Sequence, residues 1–407
     1  MTKRKWQETY GKAGVGSRPT AARKRRFEPW HLPRKMYLRE EQWLPEIRRL
    51  AKLIGIDNSR DLSYLSLPGE DLLDVRLLHD FCAQRGAKLK FLGFDERLGN
   101  RRQVALSQDT LNMPNLAPGF QILPHRFEMI GEEQTHQYEV VKRDGPFDVV
   151  NLDLCGPAES GTKPRLGKFH PAFYNLFRLQ HERQEPWLFF LTTRCTSGEI
   201  PEDDMARYWE HLKENASGSP AYESFLKGIF PHLEVIPEVA PDSYGDNQAL
   251  LSPLFAVCMG KWLLGLCCDS YPAWRPEMLS CYCYRVTGAA LPNMLSMAFK
   301  FSPVRRSPED RAGWGGEPVE TPEPMNETKL AEELLESLGV AEDVDVLLNE
   351  CGDLRAKFHG LAANLLQRAG YDREKFRRFS DESVERISRR LNGAERYPFE
   401  FALECCS

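Results

Sequence analysis

The sequence predicts an α/β fold: a mostly parallel sheet crossed by helices, closed by a terminal antiparallel hairpin and followed by a helical module. Three observations predict it. Tyr64-Leu-Ser-Leu-Pro-Gly-Glu70, Leu89-Lys-Phe-Leu-Gly-Phe-Asp95 and Phe147-Asp-Val-Val-Asn-Leu-Asp-Leu-Cys-Gly156 are short apolar runs, each ending in a turn signal or an acid. The first two flank a helix-like stretch over 71–86, the pattern of a βαβ unit. Two further strand-like runs, 278–285 and 293–301, are separated by a Gly/Pro turn and suit an antiparallel pair. Parallel sheets of this kind bind ligands outside the carboxyl ends of their strands. Pro68, Gly69, Asp95 and Asp153 are therefore expected along one rim.

The chain of 407 residues is long enough for a large core, and 42% hydrophobic with 28% charged residues is a globular composition. Residues 1–26 hold nine Lys/Arg against one acid, Glu8, whereas the whole chain has a net charge of −5. A basic arm on an acidic body suggests a polyanion partner, and otherwise a disordered solubilising tail. Arg23, Lys24, Arg25 and Arg26, with Trp30, Arg34 and Lys35, are the candidate nucleic-acid contacts: cations for phosphates and an indole for base stacking. Residues 27–37 mix aromatics, prolines and cations, and read as an extended segment packed on the domain or held near a ligand. A helix follows over 39–54, with Trp43, Ile47, Leu50 and Ile54 on one face and Gly55 as its stop.

Strands are expected over 62–67, 89–94, 147–152 and 187–193, and a short one near 127–130. Helices are expected over 71–84, 100–111 and 170–184. An insertion spans about 197–247 with helices over 203–214 and 222–230, and an apolar helix spans 248–266. The last is interrupted by Ser252, Pro253 and Lys261, and reads as buried rather than membrane-spanning. Residues 302–326 are rich in Pro, Gly and charge and read as a linker, so the main domain covers 27–301. Beyond it, Asn326 caps a helix carrying Leu330, Leu334 and Leu338. A second helix runs over 345–369, and Ser380 caps a third that stops at Gly393. These form a module over 327–407, suited to binding a protein partner.

The eleven cysteines include several inside apolar runs, and no secretion signal is evident, which suggests a reduced, cytoplasmic setting. Cys281 and Cys283 with Cys267 and Cys268 do not have zinc-site spacing, so no metal is expected. Neither a Walker lysine loop nor GxSxG nor GxGxxG is present. Asn151 and Asp153 alternate onto the same side of their strand. Two polar groups buried at a strand end are costly unless partnered or used, which favours a site role for Asp153. Arg194, ending the fifth strand, suits a phosphate or carboxylate, or a pairing with Asp153. Asp74 and Arg76 read as a salt bridge.

The strand and helix order resembles the Rossmann-like class I S-adenosylmethionine-dependent methyltransferases, over about residues 60–301. The resemblance implies that Pro68 and Gly69 approach the cofactor and that Asp95 accepts hydrogen bonds from its ribose. It also implies that Asp153, with Asn151, orients or deprotonates the methyl acceptor. Two positions depart from the family's pattern. The first turn has one glycine and a proline without an N–H, and the segment after the fourth strand lacks the proline pair and aromatic of amino-methyltransferases. Methylation of a base amine is therefore not supported. The alternative reading is a non-catalytic scaffold of this fold that binds nucleic acid or protein, such as one subunit of a bacterial defence system.

Overall fold

A computed structural model describes residues 26–96, 113–154, 169–196, 202–229, 248–268, 273–286, 289, 291–304, 326–339 and 341–391. Eight strands form one sheet in the order β3-β2-β1-β4-β5-β7-β6-β8. They are β1 (Leu62–Ser66), β2 (Leu89–Phe94), β3 (Gln121–Leu123), β4 (Val149–Asp153), β5 (Trp187–Arg194), β6 (Trp274–Tyr284), β7 (Met294–Pro303) and β8 (Glu342–Asp343). Strands β1 to β5 run parallel, and β7 is antiparallel to both β5 and β6. The sheet grows outward from β1 in one direction through β2 and β3, and in the other through β4 and β5. The gap between β1 and β4 is thus the switch point where such sheets place ligands.

The helices, in chain order, are α1 (Pro33–Tyr37), a π-helical turn (Leu38–Trp43), α2 (Leu44–Ile54), α3 (Leu73–Gln84), α4 (His136–Asp144) and α5 (His170–Gln180). They continue with α6 (Glu202–Gly218), α7 (Pro220–Ile229), α8 (Gln248–Cys268), α9 (Glu327–Gly339), α10 (Val344–Glu350), α11 (Gly352–Arg368) and α12 (Arg373–Leu391). Alternate strand residues feed two cores. Leu65, Leu92, Leu152, Phe189 and Phe299 face α4, α5, α8 and α9. Tyr64, Phe91, Val149, Phe190 and Ala298 face α1 to α3, α10 and α11. The run Trp187-Leu-Phe-Phe-Leu191 is apolar on both sides because helices cover both. None of the described helices is long and apolar enough to cross a membrane.

Several expectations need correction. The third strand is Gln121–Leu123, while Phe127–Gly131 forms a 3-10 turn whose Phe127 and Ile130 are buried beneath the sheet edge. Residues 27–37 are not extended: Pro29–His31 make a 3-10 turn and Pro33 opens α1, each proline supplying a helical φ at the first position. The expected helix over 345–369 is two, split where Cys351 takes extended backbone. Ser380 lies buried inside α12, and the cap is Asp372, whose carboxylate accepts from Lys375 N.

The described residues after 326 also join the two cores of the sheet. Leu330, Leu334 and Leu338 of α9 share one core with α8, and Val344, Leu348 and Phe358 share the other with Met36 and Tyr37. Strand β8 pairs with β6, and Asp343 and Asp345 are buried against Arg285 and Arg34. Helices α9 and α10 pack on β6, α11 packs on α1, and α10 to α12 also pack on one another. The helix expected over 100–111 and most of the expected linker lie outside the described residues.

Candidate functional site

The rim is set by strand register. Ser66 pairs with both Gly93 and Asn151, so the three lie in one row across β2, β1 and β4. Two residues further along each strand stand Asp95, Pro68 and Asp153. Pro68 in the middle of this second row is buried, while Asp95 and Asp153 on either side are half-buried and the following Gly69 is exposed. The expected rim residues are therefore brought to one edge. The turn after β1 is tight: Leu72 N donates to Gly69 O at 3.1 Å, and buried Leu72 sits at φ 51°, in the left-handed region. A leucine there costs roughly 1 kcal/mol or more, and such strain concentrates at functional turns.

Behind the rim lies a buried polar cluster. Tyr64 donates its hydroxyl to Asp74 at 2.6 Å, and Asn151 Nδ2 donates to the Tyr64 oxygen at 3.0 Å. Burial, then the Asp74 charge, raises the Tyr64 phenol well above its usual range, so it stays a neutral donor. That fixes the Asn151 amide: its N–H side meets Tyr64, leaving Oδ1 as an acceptor. On the cover side, Lys35 Nζ contacts Asp153 at 2.8 Å, donates to Tyr284 Oη at 3.4 Å and lies 4.9 Å from the Trp43 ring centroid. Arg39 donates to Trp30 O at 3.3 Å. Burial lowers its guanidinium pKa, opposed by the charges of Asp74 and Asp153. Gln42 holds the same cover to the hairpin through Ser296 O and Ser280 Oγ.

The π-helical turn explains this placement. Widening the helix at Leu38–Trp43 turns Leu38, Arg39, Gln42 and Trp43 inward, and π turns recur at functional sites. Among the described residues, the buried polar atoms of this region with no hydrogen-bond partner include Arg39 Nε, Trp43 Nε1 and Asn151 Oδ1. Buried orphans of this kind each call for an explanation, water or ligand being the ordinary one. The cover is pinned at its start as well. His31 Nδ1 accepts from Glu28 N, so its Nε2–H faces Asp71 at 3.1 Å, and Tyr371 Oη donates to the same carboxylate at 2.8 Å. A methyl at Gly69 would come within 4.0 Å of Trp30 Nε1, so the indole stands beside the first turn.

The structure separates the expected nucleic-acid contacts. Arg34 and Lys35 are buried, with their charges spent on Asp345 and Asp153, so they are not surface phosphate contacts. Arg26 is exposed and Trp30 half-buried, while Arg23, Lys24 and Arg25 lie outside the described residues. Asp74 and Arg76 are turned to different partners: Asp74 accepts from Tyr64, and Arg76 donates to Asp71 O. One partner of Asp153 is Lys35, from a segment far away in sequence. Lys35 is expected from the sequence as a nucleic-acid contact rather than at the rim, and Arg39, Tyr64 and Asp74 are not expected there. One signal does exist for the first two: Lys35 and Arg39 continue, at four-residue steps, the row of buried Trp43.

The model of one protein family, PP_RS20740-like, matches residues 24–381, and the chain belongs to that family. No curated protein and no solved structure matches the chain.

Proposed function

We propose that the rim binds S-adenosylmethionine and that the chain is a methyltransferase of the class I type. The observation that carries this reading is the row of Pro68, Asp95 and Asp153 at the switch point, backed by unpartnered buried donors and an acceptor. A parallel sheet ending in an antiparallel hairpin supports it.

The residues present fit the group. Asp95, half-buried at the end of β2, is an acceptor suited to a ribose diol. Asn151 Oδ1 suits an ammonium, and Arg39 Nε with Trp43 Nε1 suit a carboxylate. These side chains would supply at the cofactor's amino-acid end what the single glycine of the first turn does not. The cofactor's sulfonium supplies an electrophilic methyl. Asp153, held by Lys35 beside that position, would fix the acceptor, and in-line positioning is most of what methyl transfer requires.

Calorimetric titration tests this: S-adenosylmethionine should give heat and raise the melting temperature, and Asp95→Ala should weaken both. No heat and no shift at millimolar ligand would overturn the reading. One observation favours the scaffold alternative, namely that Asp153 is already neutralised by Lys35 within the chain. That alternative has the chain binding nucleic acid or a protein partner without turnover, as a subunit of a defence system would.

A further inference from the structure

We infer that Tyr64 and Asp74 are positioning residues: they lock the Asn151 amide with its oxygen as the free acceptor, and so make the site select a ligand that ends in a zwitterionic α-amino-acid group. The inference rests on the reading above for the adenosyl half of that ligand. The polarity of the amide rests on the hydrogen bonds alone.

The lock follows from counting protons. Tyr64 and Asn151 share the cover side of the sheet, because Ser66, two residues beyond Tyr64, pairs with Asn151. Asp74 reaches the same place from the first turn of α3. A carboxylate only accepts, so the single phenolic proton of Tyr64 goes to Asp74, at 2.6 Å. The Tyr64 oxygen is then left as an acceptor, and only the N–H side of the amide can meet it, at 3.0 Å. A reversed amide would set oxygen against oxygen in a buried place, which costs as much as an unmade hydrogen bond.

The ligand class follows from what such a lock is good for. Asn151 Oδ1, Arg39 Nε and Trp43 Nε1 are buried and without partners, one acceptor and two donors. They belong to one cluster: the charges of Asp74 and Asp153 act on the Arg39 guanidinium, and Lys35, paired with Asp153, lies over the Trp43 ring. A water both donates and accepts, so it is served equally by either face of the amide. An ammonium only donates, and it binds only if the oxygen is held ready. Arg39 and Trp43 beside it supply donors for the carboxylate of the same group.

The test is calorimetric titration of the full chain with S-adenosylmethionine, with its analogue lacking the α-amino group, and with 5′-methylthioadenosine, which lacks the whole amino-acid end. The unaltered chain should prefer the first over the second by roughly tenfold, the worth of one hydrogen bond to a charged group. Tyr64→Phe deletes the oxygen that orients the amide. Asp74→Asn is isosteric but lets the chain of hydrogen bonds run in either direction. Each should abolish most of that preference while the affinity for 5′-methylthioadenosine stays the same, a pattern that loosened packing would not give, and melting temperatures check folding. A preference kept in both variants would overturn the inference and leave the cofactor reading standing, as would 5′-methylthioadenosine binding as tightly as S-adenosylmethionine. No binding of any of the three would overturn both.

Discussion

Lys35 is the residue on which the rim's electrostatics turn. Its ammonium is buried, with 1% of its side chain exposed, whereas Asp153 keeps 20%. An ion pair taken out of water gains little net stability, because desolvation offsets most of the attraction. Removing one member is different, since it strands the other charge. Lys35→Met should therefore cost about 2–4 kcal/mol, toward the low end because Asp153 is partly solvated. The double change Lys35→Met with Asp153→Leu should cost less than the single one. Urea unfolding of the two variants checks this, and equal midpoints would mean that the pair carries no coupling.

At the scale of elements, β2 and the first turn depend on each other. Pro68 packs against Gly93, and a methyl at Gly93 would lie 2.9 Å from Pro68 Cγ and 2.7 Å from Phe91 Cζ, closer than real contacts allow. The proline in the turn is thus accommodated by a glycine on the next strand. Gly93→Ala should cost about 1–3 kcal/mol through overpacking. If the proposed cofactor reading holds, displacing Pro68 and Gly69 should also weaken S-adenosylmethionine binding about tenfold, or 1.4 kcal/mol. Pro68→Ala in the same chain should recover part of the stability, and denaturant midpoints of the three variants decide it. The elements themselves were legible where period and punctuation agree. The strands ending at Ser66, Phe94 and Asp153 are apolar runs closed by a turn or an acid, and Gly55 and Gly86 stop their helices with positive φ. What escaped was long-range. Three-residue β3 is too short to carry a period, and an apolar run at Phe127–Ile130 looks the same whether it packs as a turn or a strand. The cations of α1 read as surface groups because their counterions, Asp153 and Asp345, are more than 100 residues away in sequence. The rim acids were found, but their cover was not, since a π-helical turn has no sequence signature.

At the scale of the whole molecule, the N-terminal cover and the C-terminal helices are one structure. Helix α1 packs on α10 and α11, with Tyr37 edge-on to Phe358 at 5.1 Å. Buried Arg34 is met by Asp345, and buried Arg285 by Asp343, with Arg34 also donating to Arg285 O. Burial pushes the Asp343 carboxyl up to about 6, while Arg285 opposes the shift; the acid is held in place by its bonds to Arg285, Asp345 N and Val346 N. A chain ended before residue 326 would therefore lose more than apolar contacts. It would leave two buried guanidinium groups without their carboxylates, each loss worth about 3–5 kcal/mol, comparable to the whole stability of an ordinary domain. It would also uncover Met36 and Tyr37 over the rim, and with them the helix that carries Lys35 and Arg39. Residues 1–325 alone should then fail to fold, showing weak near-ultraviolet circular dichroism and no cooperative melt, and the full chain should unfold in a single calorimetric transition. Two separated transitions in the full chain, or a truncated chain that melts cooperatively, would show that the C-terminal helices are a detachable module and that the cover over the rim stands without them.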